Sequence, residues 1–419
     1  MSYISPEQTA YKDGANLDAF GRLRTSVGAP LFGMSQEYSS HQLVWDSYTV
    51  SGGTSTHSSI TNSSTLATNS STSGARALRQ TKTYWRYTPG KSQLIKMTGV
   101  LNSSGTASGA AYSALGYYDD RNGLFFKYSA SGVSVAERSD VSGSVIETSV
   151  SQTSWNVDKF DGTGPSGKTV DWTKTQIFII DLQWLGAGRV RYALDIDGQM
   201  WIAHQSVHAN LFPSVYMATA DLPVRYEVFN SGGEGANIAL NAICSSIESE
   251  GGIDEGSVYP FSYAAYLTPK AIDATLRPLT SRRLRDTFNG KTARARTKLL
   301  SFSIFTSADI YWEIRYNPTI TLGAGGIITT ANVDTTYSQC EYDTYAGALN
   351  TLAGGVILYN GFVTAGLGQT RGFASVQGTN SIIQLARTYA NVRDSFTLSA
   401  RTITGNSNVS VTVQFEEQY

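Results

Sequence analysis

The chain has 419 residues, more than one ordinary domain needs, and is 41% hydrophobic but only 16% charged. Its formal net charge of −1 argues against a general nucleic-acid binder, because phosphate contacts need a surplus of Lys and Arg. No run of about 18 apolar residues offers a membrane-spanning helix, and Cys244 and Cys340 fit neither a disulfide framework nor a metal motif.

The balance of 24 Tyr and 40 Gly with many Ser and Thr suits short strands, half-buried pleated surfaces and frequent turns. The expected fold class is therefore all-β: two β-sandwich domains of jelly-roll or lectin-like type, preceded by an extended N-terminal arm. Residues 1–37 mix Pro, Gly and charge without a sustained period, and read as the docking arm. Within it Phe20, Arg22, Leu23, Arg24 and Phe32 are the expected partner-docking residues, apolar groups seeking cover beside guanidiniums that can fork onto carboxylates. The opening MSYISPEQTAYKDG lacks a basic then apolar signal segment, which fits synthesis and retention in a cytoplasm.

Residues 38–255 read as the lectin-like sandwich. The Ser/Thr-rich stretch Ser51–Ser73 lies between the strand-like His41–Val50 and Ala77–Pro89, and is expected to form exposed strands at a sheet edge. Leu124–Ser129 and Val133–Ser139 flank a turn at Ala130-Ser131-Gly132. Ile177–Trp184 and Arg189–Ile196 flank Gly186-Ala187-Gly188. Asp197-Gly198 then leads into Gln199–Gln205, and Asp-Gly between alternating runs is a strong hairpin signal, since both central positions of a type I′ turn need positive φ. Three hairpins in series imply a meander that needs a second sheet to cover its apolar face.

Gly251, Gly252, Gly256 and Pro260 mark a boundary, with 256–275 expected as a linker and 276–419 as the C-terminal sandwich. Residues 277–298 hold eight Lys or Arg against one acid, Asp286. Arg294, Arg296 and Lys298 alternate with Ala293 and Ala295, which predicts one basic side of a strand and an intersubunit face. KLLSFSIF, IYWEIRYNPTITL, GGVILYNGFV, SIIQLART and SVTVQFEEQ continue the short-strand pattern to the end.

Candidate chemistry is sparse. Asp181, Asp195, Asp197 and Glu227 lie on or beside strands, where paired carboxylates can cleave glycosidic bonds, but no Glu-x-Asp-x-x-Glu run supports that role and no catalytic residue is assigned. His204 and His208 have i, i+4 spacing without a third ligand, so a packed pair is expected rather than zinc. Gly162–Thr169 satisfies G-x-x-x-x-G-K-[ST], yet no hydrophobic strand precedes it, strand rather than helix follows, and Pro165 removes an N–H from any phosphate cradle. A rigid surface loop is the expectation, with no cofactor and no metal. Trp45, Trp85 and Trp201 are candidates to stack on sugars or to fill the core.

Three stretches carry a resemblance: Leu17–Ser26 with its DAFGRLR run, Trp155–Gly167 with its WN-DK-DGTGPSG run, and Gln176 through Arg191 to Leu222–Glu227. In this order they resemble a family of uncharacterised structural proteins from marine and cyanobacterial tailed bacteriophages. The likeness spans roughly the first 230 residues and weakens beyond Gly251. It implies virion membership after assembly in the host bacterial cytoplasm, as a fibre-like, neck, tail or capsid-decorating protein. It brings no catalytic residues. The expected partners are copies of the chain itself, as a homotrimer, and other virion proteins of the capsid, portal or neck, or tail. A host surface glycan is the alternative partner, through a carbohydrate-binding adhesion role, with polysaccharide degradation a weaker alternative. No membrane and no sequence-specific nucleic acid is expected.

Overall fold

The computed structural model describes residues 28–68, 72–104, 107, 109–232, 238–251, 256–263, 269–347, 349–365 and 383–418. Phe20, Arg22, Leu23 and Arg24 lie outside them. The chain divides into two units, Met1–Asp254 and Glu255–Tyr419. Among the described residues both units are built of β-strands, with one 3-10 turn at Gln152–Ser154 and no α-helix.

In the first unit the strands run β1 (Ala29–Ser35), β2 (Trp45–Val50), β3 (Thr54–Ser58), β4 (Ser63–Ala67), β5 (Ala75–Thr81), β6 (Gln93–Val100), β7 (Ala111–Tyr118) and β8 (Gly123–Ser129). They continue as β9 (Gly132–Ser139), β10 (Ile146–Ser151), β11 (Gln176–Leu182), β12 (Val190–Ile196), β13 (Gln199–Ser206), β14 (Val224–Asn230) and β15 (Ala239–Ser249). One sheet has the order β13-β12-β11-β6-β15-β4-β3, with β1 also on β15; the other has the order β10-β9-β8-β7-β14-β5-β2. All pairs in both sheets are antiparallel.

Local turn chemistry sets the hairpins. Asp197 and Gly198 have φ of 59° and 78° and join β12 to β13 with Ile196 opposite Gln199, the positive-φ pair that a two-residue turn requires. The turn after β8 likewise pairs Ser129 with Gly132. These hairpins do not form one meander. The β7–β10 run lies in one sheet and β11–β13 in the other, so each supplies the cover that the other's apolar face requires. The Ser/Thr-rich stretch contributes β3 and β4, with β3 at a sheet edge.

The core between these sheets contains Trp45, Trp85, Phe126, Phe178, Tyr192 and Tyr226. Buried tyrosine hydroxyls satisfy backbone carbonyls across it. Tyr226 Oη donates to Cys244 O at 2.8 Å, and Tyr192 Oη to Ala136 O at 3.0 Å, so each tyrosine ties its own sheet to the facing one. Trp45 and Trp85 are each 1% exposed, which removes them as sugar platforms; Trp201 is half-buried and packs against the same core.

The expected arm ends earlier than residue 37. Residues 29–35 are β1, paired with β15 from Ala29↔Ser249 to Ser35↔Cys244. Phe32 is 3% exposed, with ring centroids 5.9 Å from Trp45 and 4.9 Å from Trp85. Phe32 is therefore a core residue rather than a docking residue, because its own unit already supplies the apolar cover that it was expected to seek from a partner.

The second unit contains β16 (Ser257–Tyr263), β17 (Lys270–Ile272), β18 (Arg277–Leu284), β19 (Thr287–Phe288), β20 (Lys291–Thr292), β21 (Arg296–Thr306) and β22 (Ile310–Tyr316). It goes on with β23 (Thr319–Thr321), β24 (Ile327–Asn332), β25 (Cys340–Ala346), β26 (Thr351–Ala353), β27 (Val356–Val363), β28 (Ser395–Thr402) and β29 (Ser407–Gln418). One sheet joins β16, β17 and β21 to β29; the other has the order β24-β25-β18-β28-β22-β27. The segment 256–275, expected as a linker, instead supplies β16 and β17, both paired with β29. Of SIIQLART, the described part is not a strand: Leu385 and Ala386 are buried in irregular chain, with one isolated bridge from Arg387 to Arg393.

Candidate functional site

Alternation along β5, β7, β8, β9 and β14 sends one set of side chains into the core and the other to the outer face of their sheet. Leu115, Tyr117, Phe126, Tyr226 and Val228 face inward. Their neighbours Tyr112, Tyr118, Phe125, Arg225, Glu227 and Phe229 therefore face outward, with Arg76 from β5. Glu227 lies at the centre of this outer face and is 0% exposed. Its Oε1 accepts from Arg76 Nε at 2.8 Å and from Tyr112 Oη at 3.3 Å, and its Oε2 from Tyr118 Oη at 3.1 Å. Arg225 stands 3.6 Å from Oε2.

Asp120 closes the network, bonding Arg76 at 2.6 Å and Arg225 at 2.7 Å. Burial pushes the Asp120 carboxyl up, but the Arg225 and Arg76 guanidiniums outweigh it and hold its pKa well below the usual carboxylate range. Burial, reinforced by the Glu227 charge, raises the pKa of Tyr112 and Tyr118. On the same face, Glu147 pairs with Lys127 at 2.7 Å and Arg138 at 2.8 Å. Lys127 sits 4.5 Å from the Tyr112 ring, and Arg138 5.0 Å from that of Phe125, within cation–π range.

This arrangement suits binding better than proton transfer. Glu227 has both oxygens engaged by a cation and hydroxyls of its own sheet and is buried beneath them. Tyr112 and Phe229 remain half-buried and lie edge to face at 5.7 Å. They offer ring surface beside Arg76 and Lys127. Of these residues the sequence reading singled out only Glu227. The signal it passed over is the alternation of Arg76, Arg225 and Glu227 with apolar neighbours, which marks a cross-bonded outer face.

The other candidates have internal roles. Asp181 is fully buried, paired with the equally buried Arg191 and bonded by Ser92 Oγ at 3.0 Å. His208 stacks on Tyr216 with ring centroids 3.7 Å apart, and contacts Gly188 O at 2.7 Å and Glu137 Oε2 at 2.9 Å. Burial lowers the His208 pKa, but the hydrogen bond and charge of Glu137, aided by the Gly188 carbonyl, raise it on balance. His204 Nδ1 accepts from Asn156 N at 3.3 Å. Among the described residues no group of three or more His, Cys, Asp or Glu is placed to hold a metal ion.

The Gly162–Thr169 loop is organised around a carboxylate of the chain itself. Asp158 accepts from Phe160 N at 2.8 Å and Ser166 N at 2.7 Å. A Cβ on Gly164 would lie 2.1 Å from Asp158 Oδ1, so glycine is required there. Asp158 thus stands where a bound phosphate would have to sit, and Lys168 is drawn to Asp197 at 2.8 Å. The neighbouring Trp155 and Asn156 are equally structural: Trp155 packs in the core, and Asn156 exchanges hydrogen bonds with the backbone of Gln205 at 2.9 Å.

Much of the basic run 277–298 is also engaged. Arg282 is fully buried against Glu417, Arg277 pairs with Asp273 at 2.6 Å, and Arg283 with Glu341 at 2.6 Å and Asp343 at 2.7 Å. Arg294, Arg296 and Lys298 do alternate with buried Ala293, Ala295 and Thr297. Lys298 lies opposite Glu416 and Arg296 opposite Gln418 in the ladder with β29, so a carboxylate of the same sheet neighbours this side.

No family model and no curated protein matches the chain. Among solved structures it is similar to an endo-β-1,4-glucuronan lyase from Trichoderma reesei, at 10% identity and TM-score 0.33 over 49% of this chain and 94% of that one. It is also similar to a legume lectin-like domain from Entamoeba histolytica, at 10% identity and TM-score 0.30 over 53% and 98%. A third is a carbohydrate esterase of the Shiga toxin-encoding bacteriophage phi24B, at 10% identity and TM-score 0.31 over 54% and 100%.

Proposed function

We propose that the chain is a non-catalytic, self-associating structural protein of a tailed-phage particle, anchored through residues 1–27. The particle assignment rests on the resemblance carried by Leu17–Ser26 and Trp155–Gly167. The observation that supports a structural role is the internal use of the chemistry-bearing side chains. Asp158, Asp181, Glu227 and His208 are each buried and bonded to other parts of the first unit. Immunogold labelling of purified virions with antibody to this chain tests the reading. Regular labelling at one position is expected; unlabelled particles from a lysate rich in the protein would overturn it. The anchoring part is tested by deleting residues 1–27, which leaves β1 intact and should abolish incorporation. Assembly of the truncated chain at wild-type copy number would refute that part.

One observation favours a second role, carbohydrate binding. The outer face carries the half-buried Tyr112 and Phe229 beside Arg76 and Lys127, a combination of ring surface and hydrogen-bond donors that suits an acidic sugar. Glycan-array binding without turnover, lost in Tyr112→Ala, is the expected result. Equal binding by the variant would remove the site.

A further inference from the structure

Among the described residues, the six-stranded sheet of the second unit has no further strand beside its two outermost members, β24 and β27. Neither Ile327–Asn332 nor Val356–Val363 contains a charged residue or a proline. Edge strands are usually protected by such residues, since their unpaired N–H and C=O groups invite another strand. Several other edges carry such residues, Asp46 on β2, Glu147 on β10, Pro260 on β16, and Arg296 and Lys298 on β21, while β3 and β13 are edges without them. The β24 and β27 edges instead expose Ile327 at 58%, Ile328 at 43%, Ile357 at 45% and Phe362 at 70%.

The two edges are also complementary to each other. Every neighbouring pair across the sheet is antiparallel. With six strands the outermost two run in opposite directions, so a second copy placed alongside continues the antiparallel order, β24 of one against β27 of the next. Following the registers across the sheet puts Ile328 and Phe362 on the same face, the one shared by Tyr345, Ser281, Thr397, Arg315 and Tyr311. A join that sets Ile328 opposite Phe362 therefore makes an aliphatic–aromatic cross-strand pair from two side chains that are 43% and 70% exposed in the single chain. β27 has a bulge between Ile357 and Tyr359, so the regular part available for pairing is Tyr359–Val363.

We infer that the chain self-associates head to tail through β24 of one copy and β27 of the next, closing into a cyclic oligomer. Such a join is heterologous, so each copy uses both edges once. The inference deepens the self-association part of the proposed function and rests on that part alone.

Sedimentation velocity of the full chain tests it with two substitutions at exposed positions, Ile328→Lys and Phe362→Lys. Circular dichroism reports whether each variant keeps its strands, and Asn360→Lys is a second β27 variant should Phe362→Lys unfold. The wild type is expected as a closed oligomer and each variant alone as a monomer, because every join needs one β24 and one β27. An equimolar mixture of the two variants retains one intact pair of edges and should form dimers and nothing larger. Association of either variant at the wild-type level, or a mixture that stays monomeric, overturns the join. A wild-type oligomer insensitive to both substitutions refutes this interface while leaving self-association intact. A monomeric wild type with both edges protected from hydrogen exchange refutes self-association and assigns their cover to the chain itself. None of these results bears on virion labelling, so particle membership stands or falls separately.

Discussion

Replacing Phe32 with Ala separates two roles that the sequence leaves open for the N-terminal region. If Phe32 belongs to a docking arm, its loss weakens assembly and leaves the fold untouched. In the structure it is 3% exposed between Trp45 and Trp85. Truncating a buried Phe costs about 3–5 kcal/mol in transfer and cavity terms. Among the described residues β1 pairs only with β15, so its fraying can relieve part of the strain and the lower end of that range is expected. At about 2–4 °C per kcal/mol for a domain of this size, the first unit should melt roughly 6–12 °C lower. Thermal unfolding followed by tryptophan fluorescence is the suitable assay, because Trp45 and Trp85 border the cavity. A Phe32→Ala protein that melts with the wild type but fails to enter particles would refute the core assignment and restore Phe32 to the arm.

Three further outcomes follow from the buried polar groups. Asp181→Ala should destabilise the first unit by about 3–5 kcal/mol, since it strands the buried Arg191 guanidinium; an unchanged denaturation midpoint would show that the pair is dispensable. Asp158→Ala should cost roughly 2–5 kcal/mol by leaving the N–H groups of Phe160 and Ser166 without their acceptor, and a nucleotide triphosphate should not restore stability; rescue by nucleotide would revive the phosphate-loop reading. His208, whose pKa is raised in the fold, contributes stability that is fully present below its unfolded value of about 6.5 and is lost as pH rises through the higher folded value. The stability difference between wild type and His208→Asn should therefore shrink from pH 5.5 to pH 8.5; a difference independent of pH would refute the linkage.

The parts of the fold legible in the sequence are those decided by residues close together in the chain. Asp197-Gly198 and Ala130-Ser131-Gly132 announce their hairpins because positive φ at a turn is a property of those few residues. The all-β class follows in the same way from composition and alternation. Alternation, however, states only that a strand has two faces and not what lies against either. For that reason Arg76, Tyr112, Tyr118 and Arg225 were not recognised as a site around Glu227: they come from β5, β7 and β14, and meet only because β14 pairs with both of the others.

The same limit explains the boundaries. Residues 256–275 resemble a linker locally, yet β16 and β17 are strands because β29, more than 130 residues later in the chain, supplies their hydrogen-bond partners. Phe32 looks like an arm residue until β15 orders β1 and turns the ring toward Trp45 and Trp85. Turn type and strand character are set by sterics and hydrogen bonding within a few residues, and the sequence by itself determined them. Which sheet each hairpin joins, which polar groups are buried and which strands lie outermost among the described residues were decided only by the tertiary structure, because pairing and burial depend on partners far along the chain.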